Sequence, residues 1–309
     1  MSGIKATLFG RFCLERGNQR AVAVQAGKTQ ELLGYLLINR NHPQPRELLC
    51  EVLWGNQPQD KSKKQLRQTL WRLQSALKKT ADSRDPEILA DENWIQVDAS
   101  AVLWLDIAEF ERVSKEVSDK STAELTAGEF ASIQSAVNLY RGDLLEGWYQ
   151  DWCLFERERL QVLYLIMLDK LVEYCEAHAH YETGLSYGAE ILRCDRGYER
   201  AHRQMMRLYH MAGDRTQALH QNRRCVTALR EELDVEPSER TKQLHEQIRS
   251  DKYRSPAVSR EDTSPEAAAE PALAAALKQL KQFSKTLNQI ESQVRREIQS
   301  LESTLSARE

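Results

Sequence analysis

The chain lacks the usual marks of secreted, membrane-spanning and metal-binding proteins. Its six cysteines stand at least 19 residues apart, so the sequence contains no CxxC zinc or redox motif. Its longest apolar run is the seven residues Val162–Leu168, which is too short to span a bilayer. The N-terminus has no basic segment followed by an apolar one, as a signal peptide would. We therefore expect a cytoplasmic protein with reduced thiols and no contact with a membrane.

The sequence also lacks a recognisable catalytic pattern. Ala26–Thr29 resembles the end of a Walker A loop, but Val22 stands where that loop needs its first glycine, so we predict no nucleotide site. Cys175, His178 and His180 are close in sequence, yet a helix turns the third away from the other two, which argues against a metal site. No nucleophile–base or paired-carboxylate arrangement stands out. We expect neither an enzyme nor a cofactor.

Charge is distributed unevenly along the 309 residues. Residues 1–98 contain 15 Lys and Arg against 11 Asp and Glu, a net charge of +4. The remaining residues contain 28 against 35, a net charge of −7, and the two sum to the −3 of the whole chain. The length predicts two or three domains, and the asymmetry indicates a basic domain joined to an acidic one.

The most informative segment is residues 61–79, which has no acidic residue. Its leucines recur at steps of four, three and four, which predicts one apolar stripe on a helix. The opposite face would carry Lys64, Gln68, Trp71 and Ser75. Such a face suits DNA phosphates and the base edges of a major groove. An ordinary solvent-exposed basic face is the alternative for this helix taken alone.

The elements around this helix favour the DNA interpretation. Turn signals separate short apolar runs at 4–9, 12–16 and 19–24, which predict an antiparallel meander. Two helices follow at 27–40 and 45–55, and 88–89 with 94–97 form a predicted hairpin. Strands, three helices and a closing hairpin outline a winged helix, whose third helix enters the major groove. The basic helix occupies that third position.

From residue 102 onward the sequence predicts helices and no further strands, at 106–116, 131–140, 152–177, 181–192, 199–211, 215–233 and 238–248. An internal repeat at an offset of 34 pairs Cys175 with Tyr209 and Gly184 with Ala218. That offset is the tetratricopeptide period. A plain helical bundle stays open as the alternative, because three copies are normally needed and two are clear.

The last part of the chain changes character twice. Residues 251–272 are rich in proline and poor in apolar residues, which predicts a disordered linker. Residues 273–309 carry apolar residues at coiled-coil spacing with one stutter. Their predicted seam is Leu280, Phe283, Leu287, Ile290, Val294, Ile298, Leu301 and Leu305. A second chain is the simplest partner for this helix, and docking on the chain's own repeats is the alternative.

With these elements placed, the chain resembles the SARP-type bacterial transcriptional activators over about residues 4–250. The similarity rests on LFGRFCL (8–14), ELLGYLLINRNHPQPRELLCEVLWG (31–55), QLRQTLWRLQSALKK (65–79), LYRGDLLEGWYQDW (139–152), RERL (157–160), YERAHRQMMRLYHMAGDRTQAL (198–219) and LREELDVEPSERT (229–241). The wing of that family usually ends in glycine–tyrosine, whereas Asn93–Trp94 stands here.

The predicted architecture is multidomain and mainly α. It comprises an α+β winged helix-turn-helix at 1–98, an all-α tetratricopeptide-like bacterial transcriptional activator domain at 99–250, the linker at 251–272 and the coiled-coil helix at 273–309. The resemblance implies binding to repeated sites in double-stranded promoter DNA and contact with RNA polymerase. It also implies a bacterial, nucleoid-associated protein, and residues 273–309 suggest a homo-oligomer.

The expected function is sequence-specific activation of transcription. The alternative is a protein-interaction scaffold whose winged helix and repeats bind proteins rather than DNA. The predicted DNA-binding residues lie on the basic helix and at the tip of the wing, and they are Lys61, Lys63, Lys64, Arg67, Gln68, Trp71, Arg72, Ser75, Lys78, Lys79, Asn93 and Trp94.

Overall fold

The computed structural model describes residues 4–16, 19–20, 24, 27–78, 88–98 and 103–253. Within these ranges the chain is mainly helical and has two small sheets near its N-terminus. The described residues up to Lys252 form one compact unit. The predicted linker lies outside the described residues apart from positions 251–253, and the predicted coiled coil lies wholly outside them.

The predicted meander is present as three antiparallel strands in the order β3-β2-β1. These strands are β1 (Ile4–Thr7), β2 (Cys13–Arg16) and β3 (Gln19–Arg20). Ile4, Ala6 and Leu14 are buried, as expected for a sheet with one face on the core.

The prediction that strands end before residue 102 is wrong. A further strand, β7 (Leu103–Leu105), pairs in parallel with β1 and places Ile4 opposite Leu103. Without β7, the outer edge of β1 would lack a hydrogen-bonding partner. Trp104 is half-exposed, and Lys5 Nζ lies 4.5 Å from the centre of its ring. A three-residue strand is too short for alternation to distinguish it from a loop.

Three helices and a hairpin follow the meander in the arrangement of a winged helix. The helices are α1 (Lys28–Ile38), α2 (Arg46–Trp54) and α3 (Gln59–Lys78). The hairpin consists of β5 (Ile88–Ala90) and β6 (Trp94–Val97), and β6 also pairs with the short β4 (Gln44–Pro45). The two-residue strand β4 therefore fixes the hairpin to the start of α2.

Among the described residues, the region after β7 consists of helices joined by loops and one 3₁₀ turn at Thr122–Glu124, and each helix contacts the next. Each begins and ends within a few residues of its predicted bounds. They are α4 (Asp106–Ser118), α5 (Ala127–Val137), α6 (Asp151–Ala177), α7 (Tyr181–Cys194), α8 (Glu199–Met211), α9 (Arg215–Leu233) and α10 (Glu239–Arg249).

The repeat at an offset of 34 is also visible in the backbone. The turn between α6 and α7 and the turn between α8 and α9 contain equivalent residues in the left-handed region, Ala179 at φ 58° and Gly213 at φ 83°. His180 N–H donates to Cys175 O at 2.9 Å, and the equivalent Asp214 N–H donates to Tyr209 O at 2.8 Å. Two copies of one helix–turn–helix unit therefore stack side by side.

Candidate nucleic-acid interface

The apolar stripe of α3 holds the helix against α1 and α2. Its leucines are all buried: Leu66, Leu70, Leu73 and Leu77. Near the start of the helix the Ser62 hydroxyl donates to the carbonyl oxygens of Trp54 and Pro58, at 3.4 and 3.3 Å. These contacts fix which side of α3 faces the core, and hence which side faces away from it.

The opposite side of α3 carries the predicted DNA-binding residues. Trp71 is 68% exposed, which is unusual for so large an apolar side chain. Ser75 is half-buried, and the side chain of Lys78 and all of Lys79 lie outside the described residues. The other predicted residues of this helix are all exposed, namely Lys61, Lys63, Lys64, Arg67, Gln68 and Arg72.

One of these cations has a carboxylate neighbour. Lys63 Nζ lies 3.7 Å from Glu47 Oε1, and both side chains are well exposed. Such a pair contributes little to stability because water and salt screen it. For Lys61, Lys64, Arg67 and Arg72, no carboxylate of the described residues lies within ion-pair distance. The outward face of α3 therefore keeps most of its positive charge uncompensated.

The tip of the hairpin is held in a defined turn. Asp91 Oδ1 accepts hydrogen bonds from the backbone N–H groups of Asn93 and Trp94, each at 2.8 Å. These two donors hold the pKa of the Asp91 carboxyl below its usual range. Asn93 is exposed and Trp94 is 45% exposed. Both predicted wing residues therefore face solvent on an ordered turn.

Arg46 at the start of α2 links the wing to the helices, a role not predicted from the sequence. Its backbone N–H donates to Asn93 O at 2.8 Å, and its Nε donates to Asp91 O at 2.8 Å. An open groove between α3, α2 and the wing is lined by Lys63 and Arg67 together with Arg46, Asn93 and Trp94. The structure thus brings part of the predicted set into one groove, and Lys64, Gln68 and Trp71 lie along the exposed side of α3.

Comparison with known families identifies the helical region. The model of the bacterial transcriptional activator domain matches residues 105–249, which span α4 to α10. We call residues 105–249 the activator domain, after the family to which they are similar. The predicted SARP-type resemblance is thereby confirmed. A search of curated proteins gives no significant match.

A solved structure extends the similarity to the N-terminal elements. The chain is similar in fold to Mycobacterium tuberculosis EmbR, solved in complex with a low affinity phosphopeptide. The TM-score is 0.70 over 91% of this chain and 72% of that chain, and the sequence identity is 17%. At this identity the likeness concerns the fold alone.

The activator domain packs against the sheet of the N-terminal region through a buried carboxylate. Asp106 Oδ2 accepts from the backbone N–H groups of Leu8 and Phe9, at 2.8 and 2.9 Å. Its Oδ1 accepts from Ile107 N–H at 2.8 Å, at the first turn of α4. Burial raises the pKa of Asp106, and these backbone donors oppose the rise. The carboxylate therefore ties the segment that follows β1 to the start of the domain.

A second contact between the two regions is aromatic. Trp148 packs against Gly34 of α1, where an added Cβ atom would lie 3.1 Å from the indole ring. Trp148 also meets Trp152 edge-on, with ring centres 6.1 Å apart, and Trp152 meets Tyr35 at 5.3 Å. These contacts involve α1 and leave the cationic face of α3 exposed.

The remaining candidates from the sequence have ordinary structural surroundings. Lys28 begins α1, and its ammonium group lies 2.6 Å from Glu31. His178 stacks on Tyr174, with ring centres 3.9 Å apart. In the described ranges no group of three or more His, Cys, Asp or Glu side chains is placed to hold a metal ion. No helix in that part of the chain is both long and apolar enough to cross a membrane.

Proposed function

We propose that this protein activates transcription by binding promoter DNA with the outward face of α3. One observation carries the proposal. The leucine stripe of α3 is buried, whereas Lys64, Arg67, Gln68 and Trp71 on its other side are exposed. A solvent-facing helix of this composition matches the phosphate charge and the base-edge acceptors of a major groove. The family of the helical region supports the activator role.

The side chains of α3 divide by chemistry. Lys64, Gln68, Trp71 and Ser75 would face base edges, since amides pair with adenine and apolar groups contact the thymine methyl. Arg67 and Arg72 would also reach guanine, whose two acceptors suit a guanidinium. Their positive charges and those of the neighbouring lysines would neutralise phosphates. These phosphate-contacting residues are Lys61, Lys63, Arg67, Arg72, Lys78 and Lys79.

The wing would supply a second, sequence-independent contact. Asn93 and Trp94 lie at its exposed tip, and Arg46 stands beside them at the start of α2. A positive side chain and an amide beside a recognition helix suit contacts with the sugar–phosphate backbone next to the groove that the helix occupies.

Two further steps complete the proposal. The activator domain would contact RNA polymerase, as the family resemblance implies. Residues 273–309 would pair two copies of the chain, which would raise the effective concentration of the second winged helix at a repeated half-site. We place the protein in the bacterial cytoplasm, associated with the nucleoid.

Selection from random duplex DNA with the full-length protein tests this function. We expect enrichment of a repeated motif, and an affinity for that motif that falls steeply as salt concentration rises, because phosphate contacts release counterions. DNA binding would be rejected if the selection enriches no motif and the logarithm of the affinity does not change with the logarithm of the salt concentration. That result would favour the scaffold, in which the winged helix binds proteins.

A further inference from the structure

The long helix α6 of the activator domain is apolar on its outer side as well as its inner side. Leu160, Met167 and Leu171 of this helix are completely buried. Phe155, Val162 and Ile166 are 72%, 52% and 45% exposed. Steps of seven and four residues place the exposed three in one line along the helix. We call them the outer stripe of α6.

Two further apolar side chains are exposed near the N-terminal end of the helix. Leu154 is 41% exposed beside Phe155, and Tyr149, just before α6, is 78% exposed. Single exposed apolar residues are normal on a protein surface, but several large ones aligned on one face of a helix are typical of a protein–protein contact. Spacing at successive helical turns suits a second helix that lies along α6.

The charges beside the outer stripe indicate what that second helix carries. Arg159 projects next to the stripe, but its guanidinium binds Glu111 at 2.5 Å and Glu156 at 2.8 Å. Glu158 and Asp151 are exposed, and neither forms an ion pair with another described residue. The charge of Arg159 is therefore neutralised, whereas Glu158 and Asp151 have no counter-ion among the described residues.

We propose that the outer stripe of α6 binds a basic amphipathic helix of another protein. The apolar side of that helix would cover Phe155, Val162 and Ile166, and its lysines or arginines would face Glu158 and Asp151. A second copy of this chain that docked through the same surface fits less well, because it would bring the same acidic side chains against Glu158 and Asp151. This inference concerns α6 rather than α3 and holds whether or not the winged helix binds DNA.

The test uses a fluorescent Leu/Lys peptide of about 18 residues, with leucines at amphipathic helical spacing. Its binding to the full-length protein is measured by anisotropy. A peptide of the same composition with scrambled order controls for charge alone. The test variant is Phe155→Ser with Val162→Ser. The matched control is Leu233→Ser with Val235→Ser, which also removes two exposed apolar side chains, 59% and 50% exposed, from the same domain.

We expect the stripe variant to bind the Leu/Lys peptide about tenfold more weakly, as for loss of an interface anchor, and the control variant to bind like the original chain. Glu158→Lys should also weaken binding, because it replaces the attracting charge with a repelling one. DNA affinity, measured in parallel, should be the same in all of these variants, so that failure of this inference is distinguishable from failure of the DNA proposal.

Three results would overturn the inference. Equal peptide affinity in the stripe and control variants would show that the stripe is not the contact. Equal binding of the scrambled peptide would show attraction by charge alone. A fall in molecular mass by light scattering, in the stripe variant and not in the control, would show that a second copy of the chain covers this surface.

Discussion

At the scale of single residues, His202 is the clearest case of a side chain whose protonation is set by the fold. It is 3% exposed within the activator domain. Its Nδ1 lies 2.8 Å from Gln221 Nε2, and its Nε2 lies 3.0 Å from Arg196 O. A neutral ring that donates from Nε2 and accepts at Nδ1 satisfies both contacts. Burial lowers the pKa of His202 below its ordinary value.

This lowered pKa predicts a pH dependence of stability. An unfolded chain takes up a proton at His202 as the pH falls below about 6.5, whereas the folded chain resists it. The contribution of His202 to the free energy of unfolding is therefore complete above that pH and is lost as the pH falls through the folded pKa. We expect the free energy of unfolding, measured by urea titration, to differ less between pH 7.5 and pH 5.5 in His202→Gln than in the original chain. His220→Gln, at an exposed position, should keep the original difference, and equal behaviour of the two variants would contradict the assignment.

Residues that act within one helix were predictable, and residues that act across elements were not. The burial of Leu66 and Leu73 and the exposure of Lys64 both follow from helical spacing. The ion pair of Lys63 with Glu47 and the position of Arg46 beside Asn93 depend on how α2 lies against α3 and the wing. Local periodicity contains no information about such contacts, which join distant parts of the chain.

At the scale of elements, α3 is a helix with an indole on its solvent side, and Trp71 is the residue to test. The account predicts that Trp71→Ala lowers affinity for the selected DNA site about tenfold, or about 1.4 kcal/mol, because the apolar contact of the ring with a thymine methyl group is lost. Thermal stability should hardly change, since the ring is 68% exposed. The measurement is DNA-binding anisotropy alongside thermal unfolding.

The matched control for Trp71 is Tyr149→Ala, which removes another exposed aromatic ring, 78% exposed, far from α3 in sequence. We expect this control to leave DNA affinity unchanged. A loss of affinity that is equal in the two variants would mean that Trp71 makes no contact of its own with DNA.

The elements also separate into those that sequence periodicity predicts and those that it misses. The helices α6, α8 and α9 are long enough for the spacing of their apolar residues to locate them in the sequence. Their ends agree with the predicted bounds within a few residues. Strand β7 has only three residues, and its hydrogen bonds come from β1, almost a hundred positions earlier. Its existence follows from the unpaired edge of β1, which only the assembled sheet reveals.

At the scale of the whole molecule, the winged helix and the activator domain are joined by specific contacts. The Arg40 guanidinium lies 2.5 Å from Glu111 of α4, and both side chains are mostly buried. Asp106 and Trp148 make the contacts with the segment after β1 and with α1 described above. None of these contacts involves the exposed side chains of α3, so the joined domains leave that face open to solvent.

Self-association is a further prediction at this scale. A chain that ends at Tyr253 lacks the coiled-coil pattern of residues 273–309, which lies outside the described residues. Because a single helix of this length is marginal in water, we expect the full chain to pair through it. Light scattering should show a lower assembly mass for the shortened chain. An unchanged mass would show that residues 273–309 do not hold two chains together.

The central claim is that the cationic face of α3 binds DNA, and one variant tests it most directly. Lys64→Glu with Arg67→Glu reverses two exposed charges and leaves the leucine stripe intact. Arg240→Glu with Lys242→Glu reverses two exposed charges of α10 and changes the net charge equally. In a mobility-shift titration on the selected site, we predict that the α3 variant loses specific binding by about a hundredfold or more, with unchanged circular dichroism and melting. The α10 variant should bind like the original chain. Equal affinity of the α3 variant and the original chain would contradict the claim.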